Sequence, residues 1–410
     1  MVFSPDGVST AQLLTDLAVD LQAFGHAVTV LTTTPHFNVD AEARARQPLS
    51  RRWGALLQES WCGGIPVYHV RMREKGKRVL ARLVDYAGFH VGSLCAGAVV
   101  GGGFDLVLAP SPPLTIGVGA WLIGLMRRAP FVYNVQEIYP DVAIRLGVLR
   151  NRSLIRLMYR LERFTYRRAR RVVVISERFR RDLLAKGVPD EKLVVIPNFV
   201  DTDFIRPMPR RNSFSASHGL DERFVVLYAG NLGLTQGLET VLEAAASLAA
   251  RPDVRFLLVG DGARRGWLEN EVAARGLRNV ALLPYQPRSS VPEMYAASDV
   301  CLVPLKGGTA RDTFPSKIYT IMAAGRPAIA CADEDSELAW VVREARCGLA
   351  VPPDDARALA TAVADALDAR QDLAAMGRRG REYVVSNHSR GAVAARYDAL
   401  IREVVTEGAR

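Results

Sequence analysis

The sequence predicts an α/β protein: two tandem, doubly wound parallel-sheet units of Rossmann-like type facing a cleft. Three observations predict it. Short β-branched apolar runs alternate with amphipathic stretches, the alternation breaks once near mid-chain, and glycine-rich or polar segments follow several of the runs. The chain has 410 residues, 49 % hydrophobic and 23 % charged, enough for two ordinary domains with large cores.

In the first series, residues 26–32, 65–70, 105–109, 130–134 and 171–175 read as buried strands, with helices such as 8–24, 79–100 and 152–168 between them. Runs that are apolar on both faces belong to a parallel sheet covered by helices. Residues 195–213, rich in proline and polar side chains, read as a linker, with the join near 197–207. A second series follows at 223–229, 254–259, 279–283, 299–303 and 327–331. Beyond residue 355 the pattern is helical, and the segment from about Ser389 to Val405 is expected to cross back to the first domain. The expected boundaries are 1–198, 199–386 and 387–410. Sheets of this kind bind ligands beyond the carboxyl ends of their strands, so the site is expected in the cleft between the two domains.

Composition narrows the chemistry. The 53 lysines and arginines against 43 acids leave a formal charge of +10, which points to an anionic partner. Nucleic acid is disfavoured because the basic residues lack interleaved aromatics. Five cysteines, none at metal-ligand spacing, read as reduced thiols. Asp333, Glu334 and Asp335 are consecutive and cannot all face one ion, so they read as a polar loop; neither metal nor cofactor is called for. The N-terminus lacks the basic start and apolar run of a secretion signal. The charge-free stretches Tyr86–Phe104 and Pro110–Met126 are too short or too glycine-rich to span a bilayer and read as buried helices. His26 reads as a strand-entry residue.

Four motifs carry candidate chemistry. YAGNLGLTQGLETVLEAA, from Tyr228, is a strand end, a loop with Gly230, Gly233 and Gly237, then a helix; such a turn is either a phosphate cradle or an ordinary βα connection. LLVGDGARRG, from Leu257, repeats the plan, but Gly260, Gly262 and Gly266 miss the dinucleotide spacing by one residue. In FPSKIYTIMAAGRP, Lys317 stands in the first turn of a small-residue helix, where a cation opposes the helix dipole. A phosphate there removes the conflict, with Ser316 capping and Lys317 adding a charge-assisted contact; the alternative is a solvated surface lysine. NVQEIYPD, from Asn134, puts Gln136, Glu137, Tyr139 and Asp141 at a strand's carboxyl end.

Two basic clusters stand apart. In residues 150–171, Arg152, Arg156, Arg160, Arg163 and Arg167 share one helical face, and Leu154, Leu157, Leu161 and Phe164 another. This pattern suits an anionic membrane surface, or else a solvated arginine face over a packed apolar stripe. Arg71, Arg73, Lys75, Lys77, Arg78 and Arg82 form the second cluster.

The ordered set PDGVSTAQLL, GHAVTVLT, VQEIYPD, VIPNFVD, YAGNLGLTQGLE, VGDG, LVPL, PSKIYTIMAAGRPAIA, SELA and CGLAVPPDD resembles the family 4 glycosyltransferases of the GT-B fold over nearly the whole chain. The likeness is strongest to the branch holding the L-fucosamine transferases of O-antigen and exopolysaccharide synthesis. It implies retaining transfer of a sugar, N-acetylated in that branch, from a UDP-sugar to a lipid-diphosphate-linked saccharide on the cytoplasmic face of the plasma membrane. The donor side is then Gly230, Asn231, Gly233, Gln236, Gly260, Tyr285, Ser316, Lys317 and Thr320. The acceptor side is Asp6, Gly7, Ser9, Gln136 and Tyr139. Glu137, Lys317 and Glu337 are the candidate catalytic residues.

The departures from the family shape these assignments. Asn231 and Gln236 stand where many members carry an arginine and a lysine, and Asp312 and Thr320 where many carry two glutamates. Lys317 is therefore the main diphosphate cation, with Arg311 as a helper. Gln136 replaces a histidine often found before the acid of the first-domain loop. Only Met1, Val2 and Phe3 precede Ser4, where the family has a full strand. Either the start is placed too late or the first strand is truncated, and the recombinant product from this start is expected to behave poorly. Two other functions remain compatible: a UDP-sugar 2-epimerase and a non-catalytic sugar-nucleotide-binding protein.

Overall fold

The computed structural model describes residues 2–36, 39–53, 57–72, 79–145, 147–309 and 314–408. The chain forms two compact units. The first comprises Met1–Pro140, Arg150–Asn198 and Arg390–Arg410; the second comprises Asp141–Leu149 and Phe199–Ser389.

The first unit holds eight described strands: β1 (Val30–Thr33), β2 (Ser50–Trp53), β3 (Leu57–Cys62), β4 (Ile65–Val70), β5 (Val107–Pro110), β6 (Phe131–Val135), β7 (Arg171–Val174) and β8 (Leu193–Val195). They make two four-stranded sheets, β1-β4-β3-β2 and β5-β6-β7-β8. The second of these is wholly parallel, and every residue of β6 is buried. The first is mixed: β1 runs parallel to β4, while β3 is antiparallel to both β4 and β2. The sequence reading lacks β2 and β3. Ser50–Trp53 carries two arginines and Leu57–Cys62 alternates polar with apolar, as one-sided antiparallel strands do. The available signal was Gly63-Gly64, which joins β3 to β4 with φ of +56° and +84°, the geometry of a two-residue hairpin turn. Strand β1 starts at Val30, later than expected, and His26 lies before it with Nε2 2.7 Å from Asp398 Oδ1.

Both β1 and β5 end their sheets, and Val30, Leu31, Val107 and Leu108 are only half-buried. Helix Val79–Val99 packs on β1 and β4 and against helix Thr115–Arg127, which covers β5 and β6. Glycines allow these approaches: a Cβ on Gly92 would lie 2.6 Å from Val70, and one on Gly97 2.7 Å from Ile123. Among the described residues no helix is long and apolar enough to cross a membrane.

Helix Arg390–Gly408 packs against helix Ser9–Ala23 within the first unit. Arg390 pairs with Asp16 and Asp20, and Arg171 with Glu403 and Glu407. The preceding helix, Arg370–His388, stays with the second unit, where Gly377 lets it pass the Gly325 carbonyl.

The second unit has one six-stranded parallel sheet built from β9 (Phe224–Ala229), β10 (Val254–Val259), β11 (Val280–Leu283), β12 (Val300–Pro304), β13 (Ala328–Cys331) and β14 (Gly348–Val351). Their order is β11-β10-β9-β12-β13-β14. An apolar cluster fills each side: Leu227, Leu257, Val303 and Ile321 belong to one, Val226, Phe256, Leu302 and Val363 to the other. The order reverses between β9 and β12. The loops after those two strands meet at their carboxyl ends, where Gly237 N donates to Pro304 O (3.0 Å) and Lys306 N to Thr235 O (3.0 Å); such a reversal is where sheets of this kind bind ligands.

Candidate functional site

At that reversal the glycine loop follows β9. Gly230, Gly260 and Gly262 have φ of +142°, +147° and +154°. A Cβ on Gly260 would lie 1.8 Å from the Gly230 carbonyl oxygen, and one on Gly262 2.6 Å from that of Leu232. The two glycine turns nest against each other, so the second supports the first.

Lys317 opens helix Lys317–Ala323 and reaches back to this turn. Its Nζ lies 4.0 Å from the centroid of the Tyr228 ring and 2.9 Å from where a Cβ on Gly230 would stand. Tyr228 is fully buried at the end of β9, and its hydroxyl donates to the Asn231 carbonyl (2.6 Å), fixing the ring as a floor. Lys317 is half-buried. Burial lowers its pKa from 10.5 to about 7. A lysine held over an aromatic face beside a glycine turn is placed to meet an anion.

Ser316 does not cap. Its backbone is right-handed helical (φ −56°, ψ −15°) rather than extended, and its side chain makes no capping bond. Thr320 lies three residues beyond Lys317 and is half-buried, Asn231 is exposed, and Gly233 is buried. Gln236 Nε2 donates to Thr235 Oγ1 (3.2 Å), while its Oε1 is buried with no hydrogen-bond partner among the described residues. Tyr285 follows β11, with a phenol pKa raised by burial and by Asp261. Glu337 opens helix Glu337–Glu344, which Ser336 caps through Ala339 N (3.2 Å). Its charge helps raise the phenol pKa values of Tyr319 and Tyr383, after their burial. Arg311 and Asp312 lie outside the described residues, as do Arg73, Lys75, Lys77 and Arg78.

Two cations beside the loop escaped the sequence reading. Lys306 follows β12, donates its backbone N–H to Thr235 O (3.0 Å) and points Nζ at Glu239 (3.3 Å). Arg264 pairs with the same carboxylate and stacks over Trp267 at 3.7 Å. The signal for Lys306 was its place just past the carboxyl end of a buried strand.

In the first unit the corresponding loop follows β6. Its amides form a directional chain. Asn198 Nδ2 donates to Gln136 Oε1 (2.8 Å), Gln136 Nε2 to Asn134 Oδ1 (3.0 Å), and Asn134 Nδ2 to the Tyr397 hydroxyl (2.9 Å). Ser111 Oγ accepts from Gln136 N (3.0 Å) and donates to Glu137 O (3.4 Å). The Glu137 carboxyl is thus presented beside a fixed residue. Burial pushes its pKa from 4.5 up to about 7. Burial, with Glu137 and Tyr86 nearby, pushes the Tyr139 phenol up to about 12.

Asp6, expected on the acceptor side, is turned inward: it is 4 % exposed and accepts from His36 N (2.9 Å). Gly7 is half-buried and Ser9 is the first residue of its helix. Asp6 thereby holds His36, whose Nδ1 lies 3.1 Å from both Thr34 O and Thr33 Oγ1 at the carboxyl end of β1. No sequence pattern had marked His36.

Two family models cover most of the chain. One, described as a glycosyl transferase 4-like domain, matches residues 10–198; the other, glycosyl transferases group 1, matches 210–383. WcaI of Escherichia coli (strain K12), named for colanic acid biosynthesis glycosyl transfer, is 27 % identical over 89 % of this chain and 90 % of its own. WbjE of Pseudomonas aeruginosa, named as a glycosyltransferase, is 29 % identical over 74 % of this chain and 76 % of its own. Among solved structures, Anabaena Alr3699/HepE, crystallised with UDP and glucose, has a TM-score of 0.75 at 17 % identity, covering 98 % of this chain and 97 % of that one.

Proposed function

From the premise that the chain is a family 4 glycosyltransferase of the GT-B fold, we propose that it moves a sugar from a UDP-sugar to a hydroxyl of a lipid-linked saccharide, with retention, in surface-polysaccharide synthesis. The UDP complex of the HepE structure and the colanic acid name of WcaI favour this donor and setting. The L-fucosamine branch and an N-acetylated sugar are the finer reading of the sequence likeness.

One observation carries the proposal: the Lys317 ammonium lies over the Tyr228 ring beside the Gly230 turn, at the strand-order reversal. The diphosphate would lie there, against Gly230, Asn231, Gly233 and Gln236, with Ser316 and Thr320 along the helix that starts at Lys317. Tyr285 and Gly260 would border the nucleotide, and Glu337 the sugar. As the sugar–phosphate bond breaks, negative charge grows on the leaving diphosphate. A fixed cation there stabilises the transition state more than the ground state, so no metal is needed for that step. Glu137 is the candidate acceptor of the hydroxyl proton, with Gln136, Tyr139, Gly7 and Ser9 on the acceptor side. The acceptor sets the work at the cytoplasmic face of the plasma membrane, where Arg152, Arg156, Arg160, Arg163 and Arg167 would meet anionic headgroups.

The test is a screen of UDP-sugars against lipid extracts, reading UDP release. Release that depends on both substrates supports the reading. A new UDP-sugar formed without acceptor would make the protein an epimerase, and binding without UDP release a sensor. Lys317→Met should bind UDP about a hundredfold more weakly by calorimetry; unchanged affinity would sink the donor site.

A further inference from the structure

The arginine-rich helix Arg152–Arg168 has three faces, not two. The face turned into the first unit holds Glu162, Thr165 and Tyr166, all buried. Glu162 accepts from the Tyr166 hydroxyl (3.1 Å) and from Lys186 Nζ (2.6 Å). Thr165 presses on Gly117, where a Cβ would lie 2.3 Å from its methyl carbon. The second face carries Arg152, Arg156, Arg160, Arg163 and Arg167, all exposed, and among the described residues no carboxylate pairs with them. The third carries Leu154, Leu157, Leu161 and Phe164. An apolar stripe at this spacing is normally the buried one. Here Leu154 is 43 % and Leu157 54 % exposed.

The stripe continues onto the neighbouring helix Thr115–Arg127. Trp121 meets Phe164 edge-on at 5.0 Å between ring centroids. The Arg168 guanidinium lies over both rings, at 5.2 and 5.5 Å. One turn past Trp121, Leu125 is 64 % exposed, with Met126 at 48 % beside it. That helix buries its small residues Gly117, Ala120 and Gly124 instead. Two adjacent helices thus leave an apolar lane at the surface, with arginines along its length.

We propose that this two-helix face is seated in an anionic lipid surface, with Leu154, Leu157, Trp121 and Leu125 in the acyl boundary and the arginine row among the headgroup phosphates. The inference deepens the reading of a lipid-linked acceptor and rests on it. Charge selects the occupant. A second copy would bring the same unpaired cations against this row, whereas phosphates pair with guanidinium groups and the lipid interface accepts the leucines and tryptophan. Charge alone would let the protein go in salt; the apolar lane supplies attraction that salt does not screen.

Flotation of the full chain with vesicles of phosphatidylcholine, alone or with phosphatidylglycerol, tests this. The wild type should float with the anionic vesicles. The triple change Arg156→Glu, Arg160→Glu, Arg163→Glu should lower partitioning about a hundredfold. Leu154→Ser with Leu157→Ser should lower it about tenfold and make the residual binding more salt-sensitive. Both variants should keep the wild-type UDP affinity, which reports an intact second unit, and the wild-type circular dichroism melt. The proposal is overturned if the wild type floats with neither vesicle, if the leucine variant floats like wild type, or if these changes instead dissolve a dimer seen by sedimentation. Flotation lost on substitution, in a protein that releases no UDP, would uphold the docking face and sink the transferase reading.

Discussion

Glu137 in the first unit and Lys317 in the second reach the same pKa from opposite sides. Burial lifts the carboxyl from 4.5 to about 7 and lowers the ammonium from 10.5 to about 7. Their settings differ. Glu137 follows a residue wired into a chain of amides that ends at Tyr397. Lys317 has an aromatic face and a glycine turn, neither of which supplies a formal negative charge. The contrast teaches that burial alone shifts both groups, one beside an ordered amide chain and the other beside an aromatic face that supplies no counter-charge, which is the basis of the roles proposed for them. Both environments weaken the fold near neutrality. For Lys317 the unfolded chain binds the extra proton, so its penalty is full below about pH 7 and fades as pH rises towards 10.5. For Glu137 the folded chain binds it, so the penalty grows from pH 4.5 and is full above about 7.

Four experiments break or sharpen this contrast. The largest effect is expected from Glu137→Gln, which keeps the shape and removes the proposed proton acceptor. Its kcat should fall about a thousandfold with UDP affinity intact; a full-rate variant would remove Glu137 from the chemistry. Next is Lys317→Met, whose loss of UDP affinity should come with a higher melting temperature at pH 7, because a buried cation has gone. A variant that binds poorly and also melts lower would mean that Lys317 braces the fold.

The third effect is pH dependence. On the proposed mechanism the free enzyme acts with Glu137 ionised and Lys317 protonated, so kcat/KM should peak near pH 7 and fall by up to about tenfold per unit on either side. Bound diphosphate raises the lysine pKa, so kcat at saturating donor should keep the acid limb and lose the alkaline one. Calorimetry of UDP in buffers of different ionisation enthalpy should accordingly show proton uptake at pH 8. The smallest effect is expected from Tyr397→Phe, which leaves the Asn134 amide without its acceptor. Water reaching Glu137 should move the acid limb to lower pH, with only a few-fold loss of kcat. A limb that stays put would reduce the amide chain to scaffolding.

Much of the second unit was legible in the sequence because its determinants are local. The glycine turn is marked by the apolar strand directly before it, and the lone cation by the helix start it occupies; each signal lies within a few residues. Lys317 and Gly230 could be named from those stretches, although nothing in them said that Tyr228 would lie under the ammonium. The first unit depends on distant partners. Asn134 and Tyr397 are 263 positions apart, and no periodicity links them. Asp6 looked like a loop acid open to substrate, and it is buried because a backbone N–H thirty residues away takes its oxygen. Strands β2 and β3 were hidden by their arginines and polar alternation, with only the Gly63-Gly64 turn from β3 into β4 to announce them. In the arginine-rich helix the two stripes were visible, but which would pack was not. The bulk of Thr165 and Tyr166, and the pairing of Glu162 with Lys186, decided that against the leucines.

The return of helix Arg390–Gly408 to the first unit has a practical consequence. Gene position and spatial address part company there: a frameshift in the final twenty codons is a lesion of the amino-terminal half. It would unpin Asn134 while sparing every strand of the sheet that carries Lys317. A stop codon after Ser389 should therefore spare the proposed UDP site and disable the acceptor chemistry proposed for the first unit.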